Sequence, residues 1–503
     1  MRTLSRLTLT CTSAALATVL LATSASAAPG APGLDDPYYP LDGNGGYDVS
    51  HYDIRLTYQP SGDLLSGTTT ILATATQDLD RFNLDFLLRV SSVRVNNAPA
   101  RIASHQDGEL AVVPSRPVPR GGAMTIVVRY ADVPSNPNYT LYGFNLWTRT
   151  PTGALASNAP QTAAWWFPSN NTMTDKATFD VSVAAPDGVE VLSNGNLVSR
   201  QKQIDGWTRW NWRSTKPQVT YAVLLAVGQF DDLRFASTPG GMPLITAYAN
   251  NLGELAGAAR ASVERTPEIV EFEESVFGPY PFDAQGGIVV GLNELGFALE
   301  NATRPVYDAV FFNQGSNTYV VAHELSHMWF ANSVSAHSWQ DVWLHEGFAT
   351  YASYLWSDYL GEGTAAELAQ FRYDVMPAAA SWWQVLPGDP GVPFQFHPAV
   401  YHRGAMTLQA LRTAVGDEAF LQILQSWTAT HRYGDATTAE FIALAEQVSG
   451  QQLDELFSTW LFTRGKPAVG PNGAVAARLA PATEPKSYRK ISETYELMAR
   501  AHG

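Results

Sequence analysis

The sequence contains almost no cysteine, and it lacks any excess of basic residues. Cys11 is the only cysteine among 503 residues, and it lies in a stretch that we predict to be removed. Disulfides, thiolate nucleophiles and cysteine-bound metals are therefore excluded from the remaining chain. The 47 acidic residues outnumber the 32 lysines and arginines, and charged residues make up only 16% of the chain. Nucleic acid is accordingly not expected as a partner.

The sequence also has no apolar run long enough to cross a lipid bilayer. The apolar stretch near the N terminus, residues 14–22, is shorter than the roughly 20 residues that a membrane-spanning helix needs. It follows Arg2 and Arg6 and precedes Ala25-Ser26-Ala27, a pattern typical of a secretory signal peptide. We predict that residues 1–27 are a signal peptide, so that the protein is secreted and keeps no stable membrane anchor.

Short runs of alternating apolar and polar residues fill the chain from about residue 47 to residue 235. Tyr52, Ile54, Leu56 and Tyr58, for example, alternate with more polar neighbours. This period of two is typical of strands with one buried face. The pattern predicts an all-β domain, a sandwich or a saddle-shaped pair of sheets, over residues 28–237.

Helical spacing dominates after residue 238. Apolar residues recur at helical spacing over 252–277, with an interruption at Pro267, and over 405–415, 418–427, 438–448 and 453–462. The exception is the apolar run Gly286–Gly291, for which we predict an edge strand. These patterns predict a mainly helical domain over residues 238–467. A tail of residues 468–503 follows, with a peripheral helix or a mobile segment at 488–501.

One segment of this second domain, His323-Glu324-Leu325-Ser326-His327, carries the spacing of a metal site. If residues 316–332 are helical, His323 and His327 lie on one face with Cβ atoms about 5–6 Å apart. Glu346 follows after eighteen intervening residues, enough to end the helix, turn and present a carboxylate to the same ion. Two histidines and one carboxylate leave a fourth position open, as catalytic zinc requires. Glu324 can then accept a proton from water at that position.

Four separated segments together resemble the aminopeptidase N family of zinc metallopeptidases, the gluzincins. They are His323-Glu324-Leu325-Ser326-His327, Trp343-Leu344-His345-Glu346-Gly347, Ala298-Leu299-Glu300-Asn301 and Tyr401-His402-Arg403-Gly404-Ala405. Trp166-Phe167-Pro168 and the segment around Lys176 extend the resemblance, which covers about residues 45–467. It implies a multidomain fold, with an N-terminal all-β saddle domain packed on an α+β, thermolysin-like and mainly helical catalytic domain.

The resemblance also implies roles for the residues of these segments. His323, His327 and Glu346 would hold one zinc ion per chain. Glu324 would be the general base, and Tyr401 would stabilise the oxyanion. Each role is chemically sound, since zinc activates water, a carboxylate transfers the proton and a phenol donates a hydrogen bond.

Substrate binding is implied by the segment around Glu300. Its carboxylate would bind the free α-amino group of a peptide, so that the enzyme removes N-terminal residues; the adjoining substrate-binding residues would be Ala298, Leu299 and Asn301. The chain departs from the family pattern at Phe297, where a glycine is usual. It departs again at Ala159, which replaces a second amine-binding residue and for which Gln161 is a candidate substitute.

Two other functions fit the same sequence. A secreted zinc endopeptidase is favoured if Glu300 does not face the metal. A binding or adhesion protein with a non-catalytic zinc is the alternative from another class, but a structural zinc needs four protein ligands. His337 is the candidate fourth ligand, and its position in the loop 335–340 makes a surface location more natural.

Overall fold

The structure is a computed structural model that describes residues 27–474 and 483–501. The predicted signal peptide lies outside the described residues except for Ala27. In chain order, the strands are β1 (Ala28–Pro29), β2 (Tyr47–Gln59), β3 (Leu64–Ala75), β4 (Leu79–Asp85), β5 (Val90–Val95), β6 (Ala98–Gln106), β7 (Glu109–Val113), β8 (Ala123–Asp132), β9 (Thr148–Arg149), β10 (Ala154–Ala156), β11 (Ala177–Pro186), β12 (Glu190–Leu192), β13 (Asn196–Lys202), β14 (Trp207–Gln218), β15 (Leu225–Gly228), β16 (Phe230–Ser237), β17 (Pro243–Ala249), β18 (Gln285–Val290), β19 (Ala298–Leu299), β20 (Val306–Asp308), β21 (Ser335–Ala336) and β22 (Asp435–Ala436).

The helices lie almost entirely in the second half of the chain. They are α1 (Ala256–Val263), α2 (Thr266–Phe277), α3 (Thr318–Ser326), α4 (Trp343–Tyr359), α5 (Ala365–Val375), α6 (Pro398–Val415), α7 (Asp417–Thr430), α8 (Thr438–Ser449), α9 (Asp454–Phe457) and α10 (Tyr488–Ala501). A π-helical turn, Ser458–Phe462, continues α9. None of the helices in the two described ranges has the length and apolar character needed to cross a bilayer.

The strands before residue 229 form two sheets. The larger sheet has the order β1-β4-β7-β6-β5-β8-β3-β2-β11-β14-β13, and the smaller has the order β12-β15-β10-β9. In β2 the four apolar residues that predicted the strand, Tyr52, Ile54, Leu56 and Tyr58, are each no more than 1% exposed. The residues between them are exposed or half-buried. The all-β N-terminal domain is therefore confirmed, with its core on the alternating face.

A five-stranded sheet opens the second domain, with the order β16-β17-β18-β20-β19. The prediction of an edge strand at residues 286–291 is wrong, because β18 is central and pairs in parallel with β17 and β20. All six residues of β18 are buried, as expected for a parallel strand covered on both faces. Since β16 belongs to this sheet, the change of sheet falls before Phe230 and not after residue 237.

The predicted helices are present, with one difference at the metal-site segment. Pro267 lies in the first turn of α2, where its missing N–H removes no helical hydrogen bond. The helix predicted over 316–332 is shorter, since α3 ends at Ser326. The chain then turns back, and the Asn332 N–H donates to the His327 carbonyl at 3.0 Å. This reversal brings residues 335–336 to β22, with which they pair as β21.

The segment 488–501 is a packed helix and not a mobile tail. Lys490 Nζ donates to the Ser316 carbonyl at 2.6 Å, and Asn317 Nδ2 donates to Thr494 Oγ1 at 2.9 Å. Its buried face consists of Ile491, Tyr495 and Met498, each no more than 4% exposed. Helix α10 is thereby fixed at the start of α3, directly beside the metal-site segment.

Helices α4 and α6 cross at a pair of glycines. A Cβ atom on Gly404 would lie 2.8 Å from the Cα of Gly347, and one on Gly347 would lie 3.0 Å from the Cα of Gly404. Carbon atoms pack at about 3.5–4.0 Å, so neither position has room for a side chain. Because Glu346 adjoins Gly347 and Tyr401 precedes Gly404 by less than one turn, this crossing brings Glu346 and Tyr401 together.

The crossing predicts that Gly404→Ala lowers the free energy of unfolding by about 1–3 kcal/mol, because the two backbones must separate. The measurement is the midpoint of urea unfolding. The matched control is Gly257→Ala in α1, where an added Cβ meets nothing within 4 Å and helix propensity favours alanine. Equal midpoints for the two variants would contradict the packing argument.

Candidate functional site

Helix α3 sets the spacing of the two histidines. Its first turn is capped by Asn317 Oδ1, which accepts from the Tyr319 N–H at 3.2 Å and the Val320 N–H at 3.4 Å. His327 lies just past the helix end but keeps helical dihedral angles, φ −62° and ψ −15°. His323 and His327 therefore still face the same cavity, with ring centroids 4.8 Å apart and planes at 88°.

The outward nitrogen of each imidazole has a hydrogen-bond partner. His327 Nδ1 lies 2.9 Å from the Phe330 carbonyl, which can only accept, so Nδ1 carries the proton. His323 Nδ1 lies 3.0 Å from the Tyr495 hydroxyl. With protons on Nδ1, both Nε2 atoms present lone pairs to the cavity, as metal ligands must.

The carboxylate of Glu346, in the first turn of α4, completes a group of three ligand atoms. The two Nε2 atoms are 3.2 Å apart, and Glu346 Oε2 lies 3.3 Å from that of His323 and 3.6 Å from that of His327. Tetrahedral zinc with bonds of about 2.0–2.2 Å separates its ligand atoms by roughly 3.3–3.6 Å. Glu346 Oε2 is buried and accepts no hydrogen bond. The donor set and its spacing therefore fit zinc.

Three buried carboxyl groups share this site, those of Glu300, Glu324 and Glu346. Burial alone would raise the pKa of Glu346, but the adjacent His323 and His327 hold it below its usual range. Burial raises the pKa of Glu324 well above its usual range, and the charges of Glu300 and Glu346 add to the rise. The pKa of Glu300 is also raised, chiefly by burial. A bound cation would offset this unfavourable accumulation of carboxylates.

The other predicted side chains surround the same cavity. Tyr401 in α6 has its ring 6.0 Å from that of His323 and nearly parallel to it. A carboxylate oxygen of Glu300, one of Glu324 and a ring nitrogen of His327 lie within 4.8 Å of one another. Ala298, Leu299, His323, Glu346 and Tyr401 line the cavity together with these three residues.

Three residues considered from the sequence have side chains engaged elsewhere. Asn301 Oδ1 accepts from Ser157 Oγ at 2.6 Å, so its substrate-binding role stays a prediction. Gln161 Nε2 donates to Asp42 Oδ2 at 2.8 Å, whereas Ala159 lines the cavity. His337 is 61% exposed at its side chain and pairs with Asp435 at 2.6 Å, as its surface position in the sequence suggested.

Tyr221, Trp339, Tyr495 and Met498 belong to the site, but the sequence did not single them out. The Tyr221 hydroxyl donates to Glu300 Oε1 at 2.8 Å, while Trp339 and Met498 line the cavity. Tyr221 lies in the turn before β15, Trp339 in a short 3-10 helix, and Tyr495 and Met498 in α10, and none of these segments has a motif of its own. A pattern confined to neighbouring residues carries no signal for such contacts.

The fold and the ligand set together define a zinc-metallopeptidase architecture, in which one helix and the residue after its end supply two histidines and a glutamate, and the next long helix supplies the third ligand. Residues 262–460 match the Peptidase family M1 domain, and residues 49–222 match the Peptidase M1 N-terminal domain. The chain belongs to peptidase family M1, which implies zinc as its cofactor.

Solved structures of similar fold come from Deinococcus radiodurans. An M1 zinc metallopeptidase of that organism is 28% identical with a TM-score of 0.76, and the match covers 90% of this chain and 99% of the other. A mutant bound to the substrate Tyr-Ser-Ala is 27% identical with a TM-score of 0.74, over 90% and 100% of the two chains. These matches confirm the two-domain fold.

Similar sequences are longer. Human glutamyl aminopeptidase is 27% identical over 360 residues, which is 67% of this chain and 37% of that protein. Aminopeptidase M1-A of Oryza sativa subsp. japonica is 25% identical over 394 residues, 74% of this chain and 44% of that protein. The chain therefore matches less than half the length of either relative.

The ligand geometry predicts that Glu346→Gln loses most of its zinc, because an amide carries no negative charge and binds zinc poorly. We expect about one zinc per chain in the unaltered protein and at least tenfold weaker binding in the variant. The measurement is zinc content after dialysis. His337→Ala, which alters an exposed histidine, serves as control and keeps its zinc. Equal zinc in both variants would contradict the assignment of Glu346.

Proposed function

We propose that this protein is a secreted zinc-dependent aminopeptidase that hydrolyses the N-terminal residue from peptides with a free α-amino group. The observation that carries the proposal is the position of Glu300. A carboxylate oxygen of this residue lies within 4.8 Å of the carboxylate of Glu324 and of a ring nitrogen of His327. An anion at a fixed, short distance from the metal ligands is what would bind an N-terminal ammonium one residue away from the cleaved bond.

The contact between Tyr221 and Glu300 supports the proposed role of Glu300 in binding the α-amino group. Its hydroxyl donates to Oε1 at 2.8 Å and so holds the carboxylate in one orientation. Ala298 and Leu299, in the short strand β19, line the cavity beside it. Such a strand edge offers backbone groups to an extended peptide. The free N terminus and the first peptide bond would thus be fixed by separate groups.

Each residue of the site would have a separate role in the hydrolysis. Zinc held by His323, His327 and Glu346 would supply a Lewis acid and lower the pKa of water to about 7. Glu324 would take the proton from the attacking water and pass it to the leaving amine. The Tyr401 hydroxyl would donate a hydrogen bond to the oxyanion that develops on the attacked carbonyl.

Export is supported by the sequence of residues 1–27 alone, with its basic start, apolar middle and small-residue end. A chain without cysteine after that segment needs no oxidative folding outside the cell. The proposed substrates are therefore extracellular peptides.

For the general base, we expect the Glu324→Gln variant to retain zinc, while its kcat falls by about 10²–10⁴-fold, since an amide cannot accept the proton. Hydrolysis of amino-acid arylamides and zinc content are measured on the same preparation. Loss of zinc together with activity would contradict the role of Glu324 and make it a structural part of the metal site.

For amine recognition, we expect free amino-acid arylamides to be cleaved and their N-acetylated forms to resist. Glu300→Gln should lower kcat/KM for the free substrates by about 10–100-fold, because a charge-assisted hydrogen bond is lost. Glu254→Gln, which alters an exposed glutamate, is the matched control and should leave kcat/KM unchanged. Equal cleavage of blocked and free substrates would instead support the endopeptidase alternative.

A further inference from the structure

Helix α10 brings the end of the described chain against the metal-site segment. The Tyr495 hydroxyl lies 3.0 Å from His323 Nδ1, and its ring lies 5.8 Å from that of Tyr401. Met498, one turn later, lines the same cavity as the metal ligands. The match to the Peptidase family M1 domain ends at residue 460, so these contacts come from a segment outside it.

A chain of hydrogen bonds gives the Tyr495 contact a direction. Ser353 Oγ donates to the Tyr319 carbonyl at 3.0 Å and lies 3.2 Å from the Tyr495 hydroxyl. When the serine proton is donated to that carbonyl, Ser353 Oγ is left to accept the proton of Tyr495. The Tyr495 oxygen is then left to accept the proton of His323 Nδ1.

This direction determines which nitrogen of His323 can bind metal. With the proton held on Nδ1, the lone pair is on Nε2, which faces Nε2 of His327 and Oε2 of Glu346. His327 obtains the same arrangement from the carbonyl of Phe330, three residues away. For His323 the backbone of Ala349 in α4 is one partner, and the side-chain partner is Tyr495, 172 residues distant in the chain, which is in place only when α10 is packed.

We propose that Tyr495 is a positioning residue for the zinc ligand His323, and that helix α10 is thereby a working part of the metal site. The inference rests on the proposed zinc site but not on any peptide being cleaved. Since packing of α10 favours zinc binding, zinc must favour packing of α10 by the same free energy. Removal of zinc is therefore expected to loosen α10.

The test compares Tyr495→Phe with Tyr488→Phe, which removes a hydroxyl from the same helix at a residue packed on Phe371. Zinc affinity is measured by competition with a chelator, without substrate. We expect Tyr495→Phe to bind zinc about tenfold more weakly, the usual effect of losing such a partner, and Tyr488→Phe to match the unaltered protein. Unchanged zinc affinity in Tyr495→Phe would overturn the proposal.

Two further measurements separate positioning from a general loss of structure. The visible spectrum of the cobalt-substituted protein should change in Tyr495→Phe and stay the same in Tyr488→Phe, because it reports the ligand field. Ser353→Ala leaves the ring of Tyr495 in place but frees its proton, and it should weaken zinc binding in the same direction. If arylamides are not hydrolysed at all, the proposed function fails while these zinc measurements still decide the role of Tyr495.

Discussion

Three metal-ligand atoms that converge on one point are the constraint on which this structure depends. Nε2 of His323, Nε2 of His327 and Oε2 of Glu346 lie 3.2–3.6 Å apart, while each Nδ1 atom faces its own hydrogen-bond partner. Such atoms repel one another unless a cation lies between them. The surrounding helices must therefore hold the ligands against this repulsion, and the glycine crossing of α4 and α6 provides rigidity at that point.

The N-terminal β domain contributes to the site through the segment 298–304. The Tyr221 hydroxyl holds Glu300, Ser157 holds Asn301, and Asn194 Nδ2 donates to the Ala302 carbonyl at 2.6 Å. Each donor lies in the chain before the second domain, and the acceptors are Glu300, which lies close to His327, and the two residues that follow it. A β domain that only bound an external polymer would not need these buried contacts. Its packing fixes the segment that carries Glu300.

The sequence pattern predicted those structural features that depend on residues close together in the chain. The alternation of apolar and polar residues in β2 defines its buried face. His323 and His327 still face the same cavity, as their spacing predicted, even though α3 ends before His327. The sequence pattern could not predict the features that depend on contacts between segments far apart in the chain. The apolar run of β18 indicated burial, but its central place depends on β17 and β20. The contact between His323 and Tyr495 depends on how α10 packs, and no spacing rule relates residues so far apart.

Charge balance links the metal to the proposed substrate. Glu300, Glu324 and Glu346 are all at most 7% exposed, and with zinc bound their three carboxylates would exceed the divalent ion by one negative charge. A buried excess charge is unfavourable, and a protonated α-amino group at Glu300 would cancel it. A peptide with a blocked N terminus brings no such charge. In this arrangement the proposed preference for a free N terminus would follow from the electrostatics of the whole site, because the amine would supply the positive charge that the metal and the three carboxylates leave unbalanced.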